Sequence, residues 1–328
     1  MKAIVYTKYG MPDVLQLKEV PKPVPRDGEV LVKVHAASVN SWDWDLVRGK
    51  PFLTRLSGLL TPKHNILGAD IAGQVEAIGP NVAQFKPGDA VFGDLSACNW
   101  GGFAEYVCAP EHALALKSAG MTWEEAAAIP QAATLALQGL HYKGQIRKGQ
   151  TVLINGAGGG VGTFAVQMAK LWGAEVTGVD STGKLELLRS IGADHVIDYT
   201  KENFTEMGLR YDFILDVVGT RSMYDYRRAL NPGGTYVMIG GSTNRIFQLL
   251  FLGAWFSRAE KHDAGQEDQK MGLLMHKPNT SDLAIIKALF ETGKVLPVIG
   301  MRYTLQEVPE AIRCLGKGQA LGKLIINL

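Results

Sequence analysis

The run Val152–Gly162, Val-Leu-Ile-Asn-Gly-Ala-Gly-Gly-Gly-Val-Gly, has the residue types of a phosphate-binding turn. Apolar residues suited to a buried parallel strand stop in a glycine cluster. A helical pattern follows from Thr163 to Trp172, with Phe164, Val166, Met168 and Leu171 as its apolar positions. Glycine there permits a tight turn, close backbone approach to a pyrophosphate, and close helix–strand contact. The helix start adds unpaired N–H groups and a partial positive charge. Such a string is a weak signal by itself, and its register, Ala157-x-Gly159-x-x-Gly162, already replaces the first glycine. Context strengthens it: a strand before, a helix after, a second strand at Glu175–Val179, and the acidic Asp180 at that strand's end. The chemistry these residues predict is dinucleotide binding, with Gly158, Gly159, Gly160, Val161 and Gly162 facing the pyrophosphate.

Positioning such a turn takes a sheet, and the second half of the chain supplies one. Strand candidates Thr151–Asn155, Glu175–Val179, His195–Ile197, Phe213–Asp216 and Thr235–Ile239 alternate with helical segments such as Gly183–Ser190. Repeating βα units of this length predict a doubly wound parallel sheet with right-handed crossovers. Ligands sit at the strand C-termini of such sheets, which brings Val218-Gly219 and Gly240-Gly241 to the ribose and nicotinamide end. An edge strand at Thr235–Ile239 would admit a homodimer. From Met1 to about Gly120 the pattern is different: short β-rich segments, such as Glu29–His35 and Ile71–Ile78, lie between Gly/Pro turns. Thr122 with Glu125 forms a capping box where the grammar changes. The tail Leu283–Leu328 reads as helix, strand, helix, strand and is expected to rejoin the first part. Expected boundaries are 1–122, 123–265 for the nucleotide domain, and 266–328.

Composition narrows the rest. The chain has 328 residues, a formal net charge of +2 and no basic run, which argues against a nucleic-acid surface. Its three cysteines, Cys98, Cys108 and Cys314, are isolated, as expected of a cytoplasmic protein in a reducing compartment. The longest apolar stretch, Ile246–Phe256, contains Gln248 and is too short for a bilayer. It is expected to pack on its own domain, with a pocket lining, a subunit contact or a membrane surface as alternatives.

Several spaced motifs resemble the medium-chain dehydrogenase/reductase superfamily. They are Val34–Asp43 (Val-His-Ala-Ala-Ser-Val-Asn-Ser-Trp-Asp), Ile66–Gly73 (Ile-Leu-Gly-Ala-Asp-Ile-Ala-Gly), Phe85–Asp89, Gly101–Tyr106 and Ile191–Asp194. The Asn40-x-x-Asp43 string resembles the zinc-independent quinone oxidoreductase branch. The resemblance implies a GroES-like β-rich domain into which a Rossmann-type doubly wound parallel sheet is inserted. It also implies that no zinc is bound. Where the zinc alcohol dehydrogenases carry a liganding cysteine this chain has Asn40, their Gly-His-Glu is Gly68-Ala69-Asp70, and near Pro130-Gln131 no cysteine stands. Neither imidazole nor thiolate remains for a tetrahedral Zn²⁺ set. His35 reads as a packed strand residue and His64 as solvated.

Losing the metal restricts the substrate. An alcohol must approach alkoxide character before releasing hydride, which a metal ordinarily promotes. Quinones and α,β-unsaturated carbonyls accept hydride without that help. The expected activity is reduction of a lipophilic acceptor of this kind. A zinc-free alcohol or aldehyde dehydrogenase, and a cofactor-binding redox sensor or structural protein, are the alternatives. Asn40 is the candidate polar group, donating to nicotinamide, ribose or substrate oxygen, or else a turn-forming Asn that satisfies its own backbone. Trp42, Trp44 and Phe52 either wall an apolar pocket or pack as core. The resemblance adds Thr134 as a cofactor contact, Ser181, Lys184 and Tyr199 around a 2′-phosphate, and Lys323 as a basic residue near the cofactor. NADPH is the expected cofactor, with NADH as the alternative, because Asp180 opposes a phosphate. At ~4 Å and an effective dielectric near 20 that repulsion is about 4 kcal/mol per unit charge. An Asp180 turned outward to pair with Lys184 would remove most of it.

Overall fold

The computed structural model describes residues 1–55, 58–242, 244–249 and 269–328. The chain divides into two compact units, one formed by Met1–Thr134 with Lys277–Leu328 and one by Leu135–His276. The second is a continuous insertion into the first.

The inserted unit is built on β8 (Thr151–Asn155), β9 (Glu175–Asp180), β10 (His195–Asp198), β11 (Tyr211–Asp216), β12 (Leu230–Met238) and β13 (Lys270–Leu273). Their order across the sheet is β10-β9-β8-β11-β12-β13, and every pairing is parallel. Val152, Leu153 and Ile154 are fully buried, as a central strand covered on both faces requires. Chain order reverses between β8 and β11, where sheets of this kind bind their ligands. Helix α4 (Gly160–Leu171) packs back on β8 and β9. A Cβ on Gly162 would lie 2.3 Å from the Gly156 carbonyl oxygen, so only glycine allows that helix to start so close to the turn.

Two expectations change here. The strand at Thr235–Ile239 is not an edge: β12 is flanked by β11 and β13, and the homodimer expectation loses that ground. The unit also reaches past residue 265, because β13 completes the sheet. Leu249, 3% exposed, belongs to the core of this unit and Ile246 packs against that core, whereas 250–256 lies outside the described residues.

The first unit carries β1 (Lys2–Val5) paired with β2 (Gln16–Glu19), and a larger sheet in the order β14-β15-β3-β4-β5-β7, with β6 also on β3. Its strands are β3 (Glu29–Val39), β4 (Asp70–Ile78), β5 (Ala90–Asp94), β6 (Tyr106–Pro110), β7 (Leu114–Leu116), β14 (Ile299–Thr304) and β15 (Lys323–Asn327). The tail rejoins this unit through β15, antiparallel to β3. Helix α1 (Ser41–Arg48) follows β3 directly. Helix α2 (Trp123–Ala128) starts at the Thr122/Glu125 capping box and packs on β3, β4 and β15. That packing moves the boundary from 122 to Thr134, within α3 (Pro130–Leu137). His35 stacks on Trp123 at 4.7 Å, as a packed strand residue would. His64, expected in solvent, is half-buried, and burial lowers its pKa.

Candidate active site

The glycine turn leaves β8 at Asn155 and enters α4 with Gly159 as its N-cap, where no side chain caps the helix. Gly158 donates its N–H to Asp180 Oδ2 (2.8 Å), and Gly159 donates to the Gly156 carbonyl (3.3 Å). Gly160, Val161 and Gly162 form the first turn of α4, whose N–H groups have no intrahelical acceptor. Among the described residues a Cβ on Gly159 would meet only one atom within 4 Å, at 3.6 Å, which leaves the backbone there open to a ligand.

Asp180 ends β9, and its carboxylate turns into the glycine turn rather than outward. It is 5% exposed, accepts from Gly158 N–H and Ser181 N–H (2.8 Å each), and pairs with Lys184 Nζ at 3.3 Å. Lys184 lies over the turn; a Cβ on Gly158 would meet its Cδ at 2.7 Å. The expected pairing with Lys184 exists, but with the acid already bonded to backbone donors. Tyr199 donates its N–H to the Asp180 carbonyl and leaves its ring half exposed, so Asp180, Ser181, Lys184 and Tyr199 form one group.

At the next strand ends, Gly219 has φ +59°, and a Cβ there would lie 2.6 Å from the Gly240 carbonyl oxygen and 2.7 Å from Gly241 Cα. Val218-Gly219 and Gly240-Gly241 thus pack as two close turns. Asp216 holds the first of them by accepting from Val218 N–H (3.2 Å) and Gly219 N–H (2.8 Å). It also accepts from Asn155 Nδ2 (2.9 Å) and Tyr236 Oη (2.7 Å). Burial pushes its carboxyl above the usual range, and these donors pull it back. No motif in the sequence marks Asp216, although a charge closing the apolar run Phe213–Leu215 is a visible signal. Backbone N–H groups at a helix start, glycines that keep the turns narrow, and a polar group at each strand end fit a dinucleotide.

The first unit holds a second cluster, assembled from four segments. Asn40, the N-cap of α1, is 6% exposed; its Nδ2 donates to Asp70 Oδ2 (2.9 Å) and its Oδ1 accepts from Lys323 Nζ (2.6 Å). Asn40 also closes a capping box with Asp43 at the start of α1, so its side chain serves its own turn as well as the cluster. Asp43 accepts from Asn40 N–H (2.8 Å) and from Gly68 N–H (3.0 Å). Burial raises the Asp43 carboxyl to about 7 against the pull of those donors. Asp70, at the start of β4 and fully buried, also accepts from Ser38 Oγ (3.1 Å) and Gln131 N–H (3.1 Å). Desolvation raises its pKa and Lys323 opposes the rise. Lys323, 2% exposed, is 3.3 Å from Asp70 Oδ2 and 3.4 Å from the Val39 carbonyl oxygen. The structure thus groups Lys323 with Asn40, and its ammonium is bonded within the protein. Thr134 is buried on α3. Trp44 packs on the core and against Gly316, while Trp42 and Phe52 are exposed.

Among the described residues no group of three His, Cys, Asp or Glu side chains is arranged to hold a metal ion. Asn40, Ala69 and Gln131 stand in the cluster, and its carboxylates already accept from backbone N–H groups or from Lys323, a donor set that does not suit Zn²⁺.

A glycine-lined cradle at the switch point of a six-stranded parallel sheet is the mark of dinucleotide-dependent enzymes. Comparison with known proteins narrows that class. Residues 26–119 match the family model for the alcohol dehydrogenase GroES-like domain, and residues 191–326 that for zinc-binding dehydrogenases. The chain is 34% identical to 2-methylene-furan-3-one reductase of Solanum lycopersicum, covering 100% of this chain and 79% of that protein. It is 32% identical to an NADPH-dependent alkenal/one oxidoreductase of Arabidopsis thaliana, over 99% of this chain and 79% of that one. The solved quinone oxidoreductase of Coxiella burnetii superposes with a TM-score of 0.88 at 29% identity, covering 100% and 99% of the two chains. The chain belongs to the medium-chain dehydrogenase/reductase superfamily, in its quinone and enone reductase branch, and is an NAD(P)H-dependent oxidoreductase.

Proposed function

We propose that this enzyme reduces quinones or α,β-unsaturated carbonyls with NADPH and without a metal ion, and that it works in the cytosol. The observation that carries the reading is the fixed orientation of the Asn40 amide. Lys323 holds its oxygen and Asp70 takes one Nδ2 hydrogen, so the second hydrogen is a donor with no acceptor among the described residues. NADPH, when bound, supplies a hydride from its nicotinamide. A conjugated carbonyl reduced at its β-carbon gathers negative charge on oxygen, and protonation at the α-carbon by water completes the product. An amide N–H held in advance stabilises that charge without reorganising. Acceptors of this kind need no Lewis acid, which agrees with a cluster whose cation is an ammonium.

For the cofactor, Gly160, Val161 and Gly162 would hold the pyrophosphate, and Ser181, Lys184 and Tyr199 the 2′-phosphate. The bonding of Asp180 to Gly158, Ser181 and Lys184 supports NADPH, because that carboxylate is partly neutralised and turned into the chain. The Arabidopsis relative, named NADPH-dependent, agrees. The three free cysteines support a reducing compartment.

The test is a steady-state screen of quinones, enals and enones with NADPH and NADH, run beside alcohol oxidation with both oxidised cofactors. Reduction of at least one acceptor class, faster with NADPH, is expected. Alcohol oxidation alone, or tight nucleotide binding with no turnover, would overturn the reading.

A further inference from the structure

We infer that Gln131 is a further catalytic residue, whose carboxamide N–H donates to the carbonyl oxygen of the acceptor beside Asn40. The inference rests on the reductase reading above. Gln131 opens helix α3 and is 2% exposed, yet among the described residues its Nε2 has no hydrogen-bond partner. Buried amide N–H groups are almost always paired, and one left over is a cost to folding. A ligand oxygen that completes the bond accounts for its retention.

The position of Gln131 says which ligand. Its backbone N–H is bonded to Asp70 Oδ1 at 3.1 Å, while the Asn40 amide is bonded to Asp70 Oδ2 at 2.9 Å. One carboxylate therefore anchors both residues, one through each oxygen. Among the described residues Asn40 then has one amide hydrogen left over and Gln131 has two. Lys323 is not a third donor, because Asn40, Asp70 and the Val39 carbonyl surround its ammonium. What the cluster offers is neutral N–H groups beside two buried carboxyls, Asp43 and Asp70. An anionic ligand would be repelled there. A neutral carbonyl is accepted, and its oxygen is stabilised as charge grows on it during reduction. Two neutral amide donors anchored on one carboxylate suit an oxyanion site for conjugated ketones, aldehydes and quinones.

The experiment compares wild type with Gln131→Leu and Gln131→Met, which keep the bulk and remove the donor. Thermal melting, NADPH affinity by fluorescence quenching, and kcat and KM with cyclohexenone and a naphthoquinone are measured. Removing an unpaired buried donor should leave Tm unchanged or raise it, with NADPH affinity within about twofold. kcat should fall by about tenfold to a hundredfold, with KM moving less. Wild-type kcat in both variants overturns the inference. So does a loss of activity that tracks a fall in Tm in both, which would assign Gln131 to packing. Wild type that reduces neither acceptor with either nicotinamide overturns the reductase reading instead. The donor role is then read from binding, where a Gln131→Leu chain that holds cyclohexenone as tightly as wild type overturns it.

Discussion

Each of the two candidate sites contains an aspartate–lysine pair, at the same separation and to different ends. Lys184 lies 3.3 Å from Asp180 and Lys323 lies 3.3 Å from Asp70. In each case the carboxylate also accepts from backbone N–H groups, Gly158 and Ser181 in one, Gln131 in the other. The difference is water. The side chains of Lys184 and Asp180 keep 14% and 7% of their exposure, those of Lys323 and Asp70 only 2% and 0%. A pair near the surface can exchange partners with an arriving phosphate, because its lysine is flexible and partly hydrated. A pair sealed from water cannot, since separating it would leave a bare charge in low dielectric. The first suits ligand recognition, and the second fixes the orientation of a neighbour, Asn40.

The sharpest way to break this contrast is Lys323→Met. It should leave Asp70 buried without its cation and destabilise the protein by about 3–5 kcal/mol. Denaturant unfolding checks it, and Lys323→Met with Asp70→Asn, which removes the bare charge but keeps an oxygen to accept, should recover part of the loss. If the single variant is as stable as wild type, the buried pair is no constraint.

Asn40→Ala comes next. Losing one donor to developing charge should raise the barrier by about 2.7–4 kcal/mol, with nicotinamide affinity changed far less. Stopped-flow hydride transfer and cofactor titration separate the two. Unchanged turnover would return Asn40 to a structural role.

Smaller effects belong to the less deeply buried pair, Lys184 and Asp180. Lys184→Ala should cost about tenfold in kcat/KM with NADPH, the loss of one bond to a charged group, and little with NADH. Asp180→Ser should raise kcat/KM with NADPH by relieving repulsion. A wild type tenfold better with NADH and indifferent to Lys184→Ala would show that Asp180 governs the choice. The least effect is expected of a chelator: prolonged dialysis against one should leave turnover unchanged, and metal analysis should find no stoichiometric zinc. Zinc lost together with activity would refute the metal-free reading.

The nucleotide unit was the more legible in sequence, because its signals are local. The strand Thr151–Asn155, the glycines after it and the alternation up to Met238 can be read within windows shorter than a helix and a strand. What failed there was order. Strand β13, Lys-Met-Gly-Leu, is short and follows a polar stretch, so β12 looked like an edge. The polar cluster of the other unit was barely legible. Asp70 stood out only as a carboxylate after the place of an absent histidine, and Asn40 only through a family resemblance. The contact that gives both a purpose joins Asp70 to Lys323 across 253 residues, which no local pattern encodes. Gln131 was noticed for what it was not, a thiolate, and its unpaired amide became visible only with burial known.

Strand β15 has a consequence for synthesis on the ribosome. The nucleotide unit is drawn from one continuous stretch, Leu135–His276, and is wholly translated before β15 emerges. Chains lengthen at about 5–20 residues per second, with earlier segments folding first. Asn40 and Asp70 must wait through most of translation for the ammonium that orients and neutralises them. A nascent chain can therefore complete its glycine cradle while the Asn40–Asp70–Lys323 cluster is still unassembled, and a product stopped short of Lys323 lacks that cluster however well the rest has folded.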